Sequence, residues 1–251
     1  YGNRITLPVI TLGGTAGAAG YEAAWVKDWD PLTIYKSPAS ASAITLTMVP
    51  ASAFQVYGIV LLGHNLTVAG ITSAKLEGGT GNYTDLSKDL VINAATLTPA
   101  YYLLSDAEVT GAASYNQWRI NVTFGASTAL QIGEIFLIGA PPLAFTRNYN
   151  KGFIPDREIG KTSTEGINGI MRETSRWERL RYEFEFTDIS LTQLTALQLA
   201  ATNSHVIFSP NGSSDRAYFG TLKLAQPKNI SAPSVAAATY SITATFTECA
   251  T

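Results

Sequence analysis

Apolar and polar residues alternate with a period of two along much of the chain, the pattern of strands with one wet face. Ala43-Ile44-Thr45-Leu46-Thr47-Met48-Val49 is one such segment. Gln117-Trp118-Arg119-Ile120-Asn121-Val122-Thr123-Phe124 is another, with Trp118, Ile120, Val122 and Phe124 on the side expected to face a core. Phe54 to Leu62 is more continuously apolar, which predicts a strand buried on both faces. Gln131 to Gly139 predicts a closing strand, and the clusters at 77–85 and 105–108 read as loops.

Consecutive prolines at Pro141-Pro142 cannot sit inside a strand ladder and predict a domain boundary. Residues 1–143 form the first domain and 144–251 the second. The charge balance changes at the same place: 6 Lys+Arg against 9 Asp+Glu before it, 11 against 10 after it. The second half opens with a charged, Gly-containing stretch of little periodicity, read as an arm over 144–176 that orders against a partner. The clearest strand follows, Arg179 to Thr187, with Leu180, Tyr182, Phe184 and Phe186 on one face and Arg179, Arg181, Glu183 and Glu185 on the other. Ser190-Leu191-Thr192-Gln193 is a capping box and starts a helix over 190–202. Strands resume at His205–Ser209, Ala217–Ala225 and Tyr240–Thr247. The expected fold is all-β: two β-sandwich domains, the second carrying one short helix.

Charged residues make up 14% of the chain, against about 25% in an average soluble domain. Few charges and many hydroxyls suit β surfaces that a neighbour later covers. The formal net charge of −2 argues against a nucleic-acid binder. No apolar stretch is long enough to span a bilayer, so no membrane insertion is expected. Tyr1 to Ile10 lack the basic start and apolar core of a signal peptide. Cys249 is the single cysteine, which excludes an intrachain disulfide. Five Asn-x-Ser/Thr triplets, at Asn65, Asn82, Asn121, Asn211 and Asn229, are expected by chance in so hydroxyl-rich a chain.

Catalytic chemistry finds little to stand on. His64 and His205 are the only histidines, and neither accompanies a triad motif. Gly78-Gly79-Thr80-Gly81-Asn82 is followed by no helical pattern and reads as a loop tip rather than a phosphate loop. Glu173, Glu178, Glu183 and Glu185 alternate with arginines and read as a surface salt network rather than a paired-carboxylate site. The expectation is a protein that is not an enzyme.

Three segments of the first half resemble the discoidin-like, galactose-binding (F5/8 type C) jelly-roll family. These are Asp28-Trp29-Asp30-Pro31-Leu32-Thr33-Ile34-Tyr35, the strand and Gly63-His64-Asn65-Leu66 turn of Phe54 to Leu66, and Gln131 to Gly139. That form of the turn is similar to versions attached to phage tail proteins. The second half, through Trp177 to Phe186, Val206 to Asn211 and Tyr218-Phe219-Gly220, resembles tail-associated virion proteins. The resemblance implies an N-terminal jelly roll and a structural Ca²⁺ ion held by Asp28, Asp30 and Glu134. Trp29 departs from it by standing where the family usually has Gly.

Two functions follow as expectations. One is a structural component of a phage virion, a tail or tail-tip protein that is assembled in the host cytoplasm. It would form a homo-oligomer and contact other virion proteins, with Arg172, Arg176, Arg179 and Arg181 at the interface. The other is a carbohydrate-binding adhesin module recognising a host cell-surface glycan. Its candidate contacts are Trp25, Trp29, Tyr83, Tyr115 and Arg119, since aromatic faces and charged donors suit sugars. The alternative for the four arginines is ordinary solvated pairing with Glu173, Glu178 and Glu183.

Overall fold

The computed structural model describes residues 11–14, 16–24, 33–38, 42–50, 52–66, 70–90, 101–124, 129–139, 141, 155–165, 171–202, 206–209, 218–230 and 239–249. The chain forms two compact units, one built from Gly2–Pro141 and the other from Pro142–Phe208 and Tyr218–Thr251.

In chain order the first unit holds β1 (Thr11–Gly14), β2 (Tyr35–Lys36), β3 (Ala43–Val49), β4 (Gly58–Leu62), β5 (Ile71–Gly79), β6 (Leu86–Asp89) and β7 (Tyr101–Leu103). After these come the helix α1 (Asp106–Ala112), then β8 (Gln117–Phe124), β9 (Gln131–Ile132) and β10 (Glu134–Ile138). A five-stranded antiparallel sheet runs β1-β3-β8-β5-β6, a three-stranded one β10-β4-β7, and β2 pairs with β9. The period-two pattern dictates how they pack. Ile44, Leu46 and Met48 of β3, Ala74 and Leu76 of β5, and Trp118, Ile120 and Val122 of β8 all point to one side. They share a single apolar cluster with Ile59 and Leu61 of β4, Tyr102 of β7, and Ile135 and Leu137 of β10. Two sheets closing on one core make a β-sandwich. Val60 is buried as well, so β4 is covered on both faces, as its unbroken apolar run predicts.

Two local expectations change. Residues 105–108 do not form a loop; they begin α1. Ser105 caps it, its hydroxyl accepting from the Glu108 amide while the Glu108 carboxylate accepts from the Ser105 amide at 2.7 Å. Gly78 and Gly79 are not part of a loop tip; they end β5 opposite Trp118 and Gln117.

The second unit contains β11 (Pro155–Glu165), β12 (Met171–Ser190), α2 (Leu191–Thr202), β13 (Val206–Phe208), β14 (Tyr218–Leu224), β15 (Lys228–Asn229) and β16 (Thr239–Glu248). Among the described residues these make one antiparallel sheet, β11-β12-β16-β14-β13, with β15 beside β16. Its apolar face, including Tyr182, Phe184, Phe186, Ile242 and Phe246, packs with Leu194, Leu197 and Ala200 of α2, so the helix supplies the second layer. Ser190 caps α2 through its hydroxyl, which accepts from the Gln193 amide at 3.2 Å, as the capping box predicts.

The stretch read as an arm of little periodicity contributes β11 and the first part of β12, paired as a hairpin. Its strand character comes from pairing rather than from apolar alternation. Gly160 faces Trp177 while Lys161 faces Ser175, which leaves Arg176 as the extra residue of a bulge. β16 pairs with β12 only from Arg181 onward, so the hairpin runs on beyond it. A second irregularity, between Phe186 and Ile189, places Asp188 at φ 56°, a left-handed conformation that Asp tolerates better than most residues. Among the described residues no helix is long and apolar enough to cross a membrane.

Candidate functional site

Trp118 and Ile120 point into the core, so Arg119 between them stands on the outer face of the five-stranded sheet. In register it lies between Thr47 of β3 and Glu77 of β5. Its Nε donates to Glu77 Oε2 at 2.5 Å. Its guanidinium carbon lies 4.7 Å from the centroid of the Tyr83 ring, within cation–π range. Arg119 is therefore fixed from two sides, and its terminal nitrogens make no further hydrogen bond among the described residues.

Tyr83 is carried by residues 80–85, which are held by their own hydrogen bonds. Asp85 Oδ2 accepts from the Thr80 amide at 2.9 Å and from Asn82 Nδ2 at 3.3 Å. Asn82 Oδ1 accepts from the Thr84 amide at 2.8 Å, an Asx turn. Neighbouring residues tie the loop down: the Gly81 amide donates to Asn116 Oδ1 at 3.0 Å and the Thr80 hydroxyl to the Ser114 carbonyl at 2.9 Å. Gly81 has φ 72°, where a side chain would be strained. Tyr83 is thus presented by a loop that needs no ligand to order it.

Of the aromatic and cationic candidates, the structure brings Tyr83 and Arg119 together. Tyr115 is half-buried and packs against the core, its ring 5.6 Å from that of Trp118. Trp25 and Trp29 lie outside the described residues, as do Asp28 and Asp30. Glu134 begins β10 opposite Leu62 and is fully buried. Among the described residues no three His, Cys, Asp or Glu side chains converge as a metal site.

The Gly63-His64-Asn65-Leu66 turn has a structural task. Asn65 Nδ2 donates to the Ala129 carbonyl at 2.9 Å, and Asn65 Oδ1 accepts from the Gln131 amide at 2.8 Å. Ser37 supports the same segment, its hydroxyl accepting from the Leu130 amide at 2.9 Å. His64 Nδ1 accepts from the Leu66 amide at 3.4 Å.

On the second unit, Arg179 pairs with Glu158 across the hairpin at 2.5 Å, Arg157 with Glu178 at 2.5 Å, and Arg181 with Glu183 at 3.7 Å. The hydrogen bond from Arg179, with the charges of Arg179 and Arg181, holds the Glu158 carboxyl below its ordinary range. These pairs are exposed, so water and salt screen them and each contributes little to stability. Arg172 faces Thr164 in register and Arg176 is the bulge residue. Cys249 is partly buried; burial, then the neighbouring Glu248 charge, push its thiol up, away from a reactive thiolate.

Sequence reasoning named Tyr83 and Arg119 but missed Glu77, which only the β5–β8 register places beside Arg119. It also missed the bracing of the loop, for which Asn82, Asp85 and Asn116 were the available signal.

No family model matches the chain, and no curated protein matches it. Several solved structures are similar. A pectin-binding carbohydrate-binding module is 13% identical with TM-score 0.39, covering 55% of this chain and 96% of its own. An F5/8 type C domain from Bacteroides fragilis is 14% identical with TM-score 0.37, covering 51% and 90%. The family 32 carbohydrate-binding module of Clostridium perfringens NanJ, solved with galactose, is 14% identical with TM-score 0.37, covering 50% and 90%.

Proposed function

We propose that the first unit is a discoidin-like carbohydrate-binding module and that the protein works by binding rather than catalysis. The observation that supports this is Arg119, held by Glu77 and by the Tyr83 ring at the foot of a self-braced loop. A fixed donor beside an aromatic ring is suited to sugar hydroxyls and ring C–H groups, and little has to be reordered when the ligand arrives. The test is retention of the full chain on an immobilised glycan panel, alongside Arg119→Ala. Retention by the natural chain and loss in the variant are expected; equal retention by both, or none by either, removes the reading. A structural Ca²⁺ belongs to the proposal, with Asp28, Asp30 and the buried Glu134 as an all-oxygen donor set. It predicts a melting temperature raised by Ca²⁺ and lowered by a chelator.

A second reading, a structural component of a phage virion at the tail or tail tip, is favoured by the hairpin of β11 and β12. It continues past the end of β16 as two strands, and a two-stranded ribbon alone is marginally stable in water. Neighbouring subunits or other virion proteins would pack on this ribbon, which no third strand flanks among the described residues, with the arginines of β12 at the interface, after assembly in the host cytoplasm. A tail protein of this kind could also carry the glycan site to a host surface. Light scattering on the natural chain and on one lacking Lys151–Ser175 tests it. A folded monomer after deletion of an oligomeric parent is expected, and an unchanged oligomer sinks it.

A further inference from the structure

We infer that the ligand of the Arg119 site is a neutral sugar with adjacent hydroxyls rather than an acidic one, and that Glu77 sets this choice. The inference rests on the glycan reading of that site. Arg119 offers its terminal nitrogens as donors, and Glu77, whose Oε2 accepts from Nε, keeps Oε1 without a hydrogen bond among the described residues. Donors and an acceptor stand side by side. Two neighbouring hydroxyls, each able to donate and accept, satisfy both members of the pair. A sugar carboxylate is acceptor-only: it satisfies Arg119 and sets a second negative charge against Glu77.

The surroundings push the same way. Among the described residues the other cations of this part of the sheet are already matched, Lys75 on the neighbouring β5 to Asp89 at 3.6 Å and Lys88 on β6, one strand further out, to Glu108 at 3.2 Å. Asp85, in the loop that carries Tyr83, adds a carboxylate with no cation beside it among the described residues. Among the described residues the local balance is therefore negative, which disfavours uronates and sulfated sugars. Glu77 is the carboxylate nearest the donor, so it is the residue whose charge an acidic ligand meets first. It is also well covered, its side chain 13% exposed, which limits screening by solvent.

The test titrates the full chain and its Glu77→Gln variant, both checked for folding by their unfolding midpoints. The probes are methyl galactoside, methyl glucoside, methyl mannoside and galacturonate, read by saturation-transfer NMR and calorimetry at low and about 0.5 M salt. The natural chain is expected to bind at least one neutral sugar about tenfold or more tightly than galacturonate, with little salt dependence. Glu77→Gln is expected to narrow that ratio by about tenfold, through stronger galacturonate binding. A preference for galacturonate that disappears in Arg119→Ala overturns the inference and leaves the glycan reading standing. A ratio unchanged by Glu77→Gln also overturns it. No binding of either class removes both.

Discussion

Gly78 and Trp118 face each other across β5 and β8 so closely that a Cβ on residue 78 would stand 2.7 Å from Trp118 Cε3. The indole is fully buried and fills the space a side chain would need. Gly78→Ala is therefore expected to destabilise the first unit by about 1–3 kcal/mol, the usual cost of overpacking a filled core. Urea unfolding checks this, and an unchanged midpoint would mean that the indole can move aside.

Asn65 joins the turn after β4 to the segment leading into β9 through both ends of its amide. Asn65→Ala leaves the Gln131 amide and the Ala129 carbonyl without that partner and is expected to cost about 1–3 kcal/mol. Asn65→Asp keeps the acceptor and is expected to cost less. Denaturant midpoints of the two variants decide it; equal losses would mean that the donor half carries the effect.

Tyr83 positions Arg119 by covering its guanidinium. Removing the ring in Tyr83→Ala frees the arginine and is expected to weaken sugar binding several-fold, in line with about 0.5–1 kcal/mol for an exposed cation–π contact. Tyr83→Phe keeps the ring and should bind nearly as the natural chain does. Calorimetric titration of both variants distinguishes loss of the ring from loss of the hydroxyl.

Two carboxylates give stability opposite dependences on pH. Burial alone would raise Glu108, but the Ser105 amide and hydroxyl and Lys88 together outweigh it and hold the carboxyl below its ordinary 4.5. Its contribution is present above that ordinary value and is lost as pH falls through the lowered one. Glu248 is raised, first by burial and also by Glu178, against the Leu180 amide, so its contribution is present at low pH and lost as pH rises through the raised value. Glu108→Gln is expected to flatten the acid limb of a stability–pH profile, and Glu248→Gln to reduce the loss on the way to neutrality. Urea unfolding across the acid range reads both.

The strands with clean alternation were legible in the residues alone. Ala43–Val49 and Gln117–Phe124 are strands with those limits, and the placing of Trp118 in the core follows from the same period. The cap of α2 was legible because Ser190 and Gln193 are local partners. α1 carries the same signal in Ser105 and Glu108, but it is only 7 residues long and contains Gly111, too little for helical periodicity to register. The hairpin strand Pro155–Glu165 lacks an apolar alternation, so its conformation is decided by pairing with β12. The Glu77–Arg119 contact joins residues 42 apart in sequence, and local patterns carry no information about which distant strand lies alongside. Tyr115 looked like a platform by residue type; its half-buried ring packs against Trp118 at the edge of the core, a contact that residue type alone does not show.

β16 is the last strand of the second unit in chain order, yet it lies inside the sheet, with β12 on one side and β14 on the other. During synthesis the hairpin of β11 and β12 can form early from neighbouring residues, while the apolar face of β12 waits for a partner encoded much later. The sheet cannot close until the residues up to Glu248 have left the ribosome. Until then α2 can cover part of that face, but β12 keeps an open strand edge where β16 will pair, a surface that invites mispairing. Translation that stops before β16 therefore removes the strand that joins both halves of the sheet, and deletion of Thr239–Glu248 is expected to unfold the whole second unit rather than fray it.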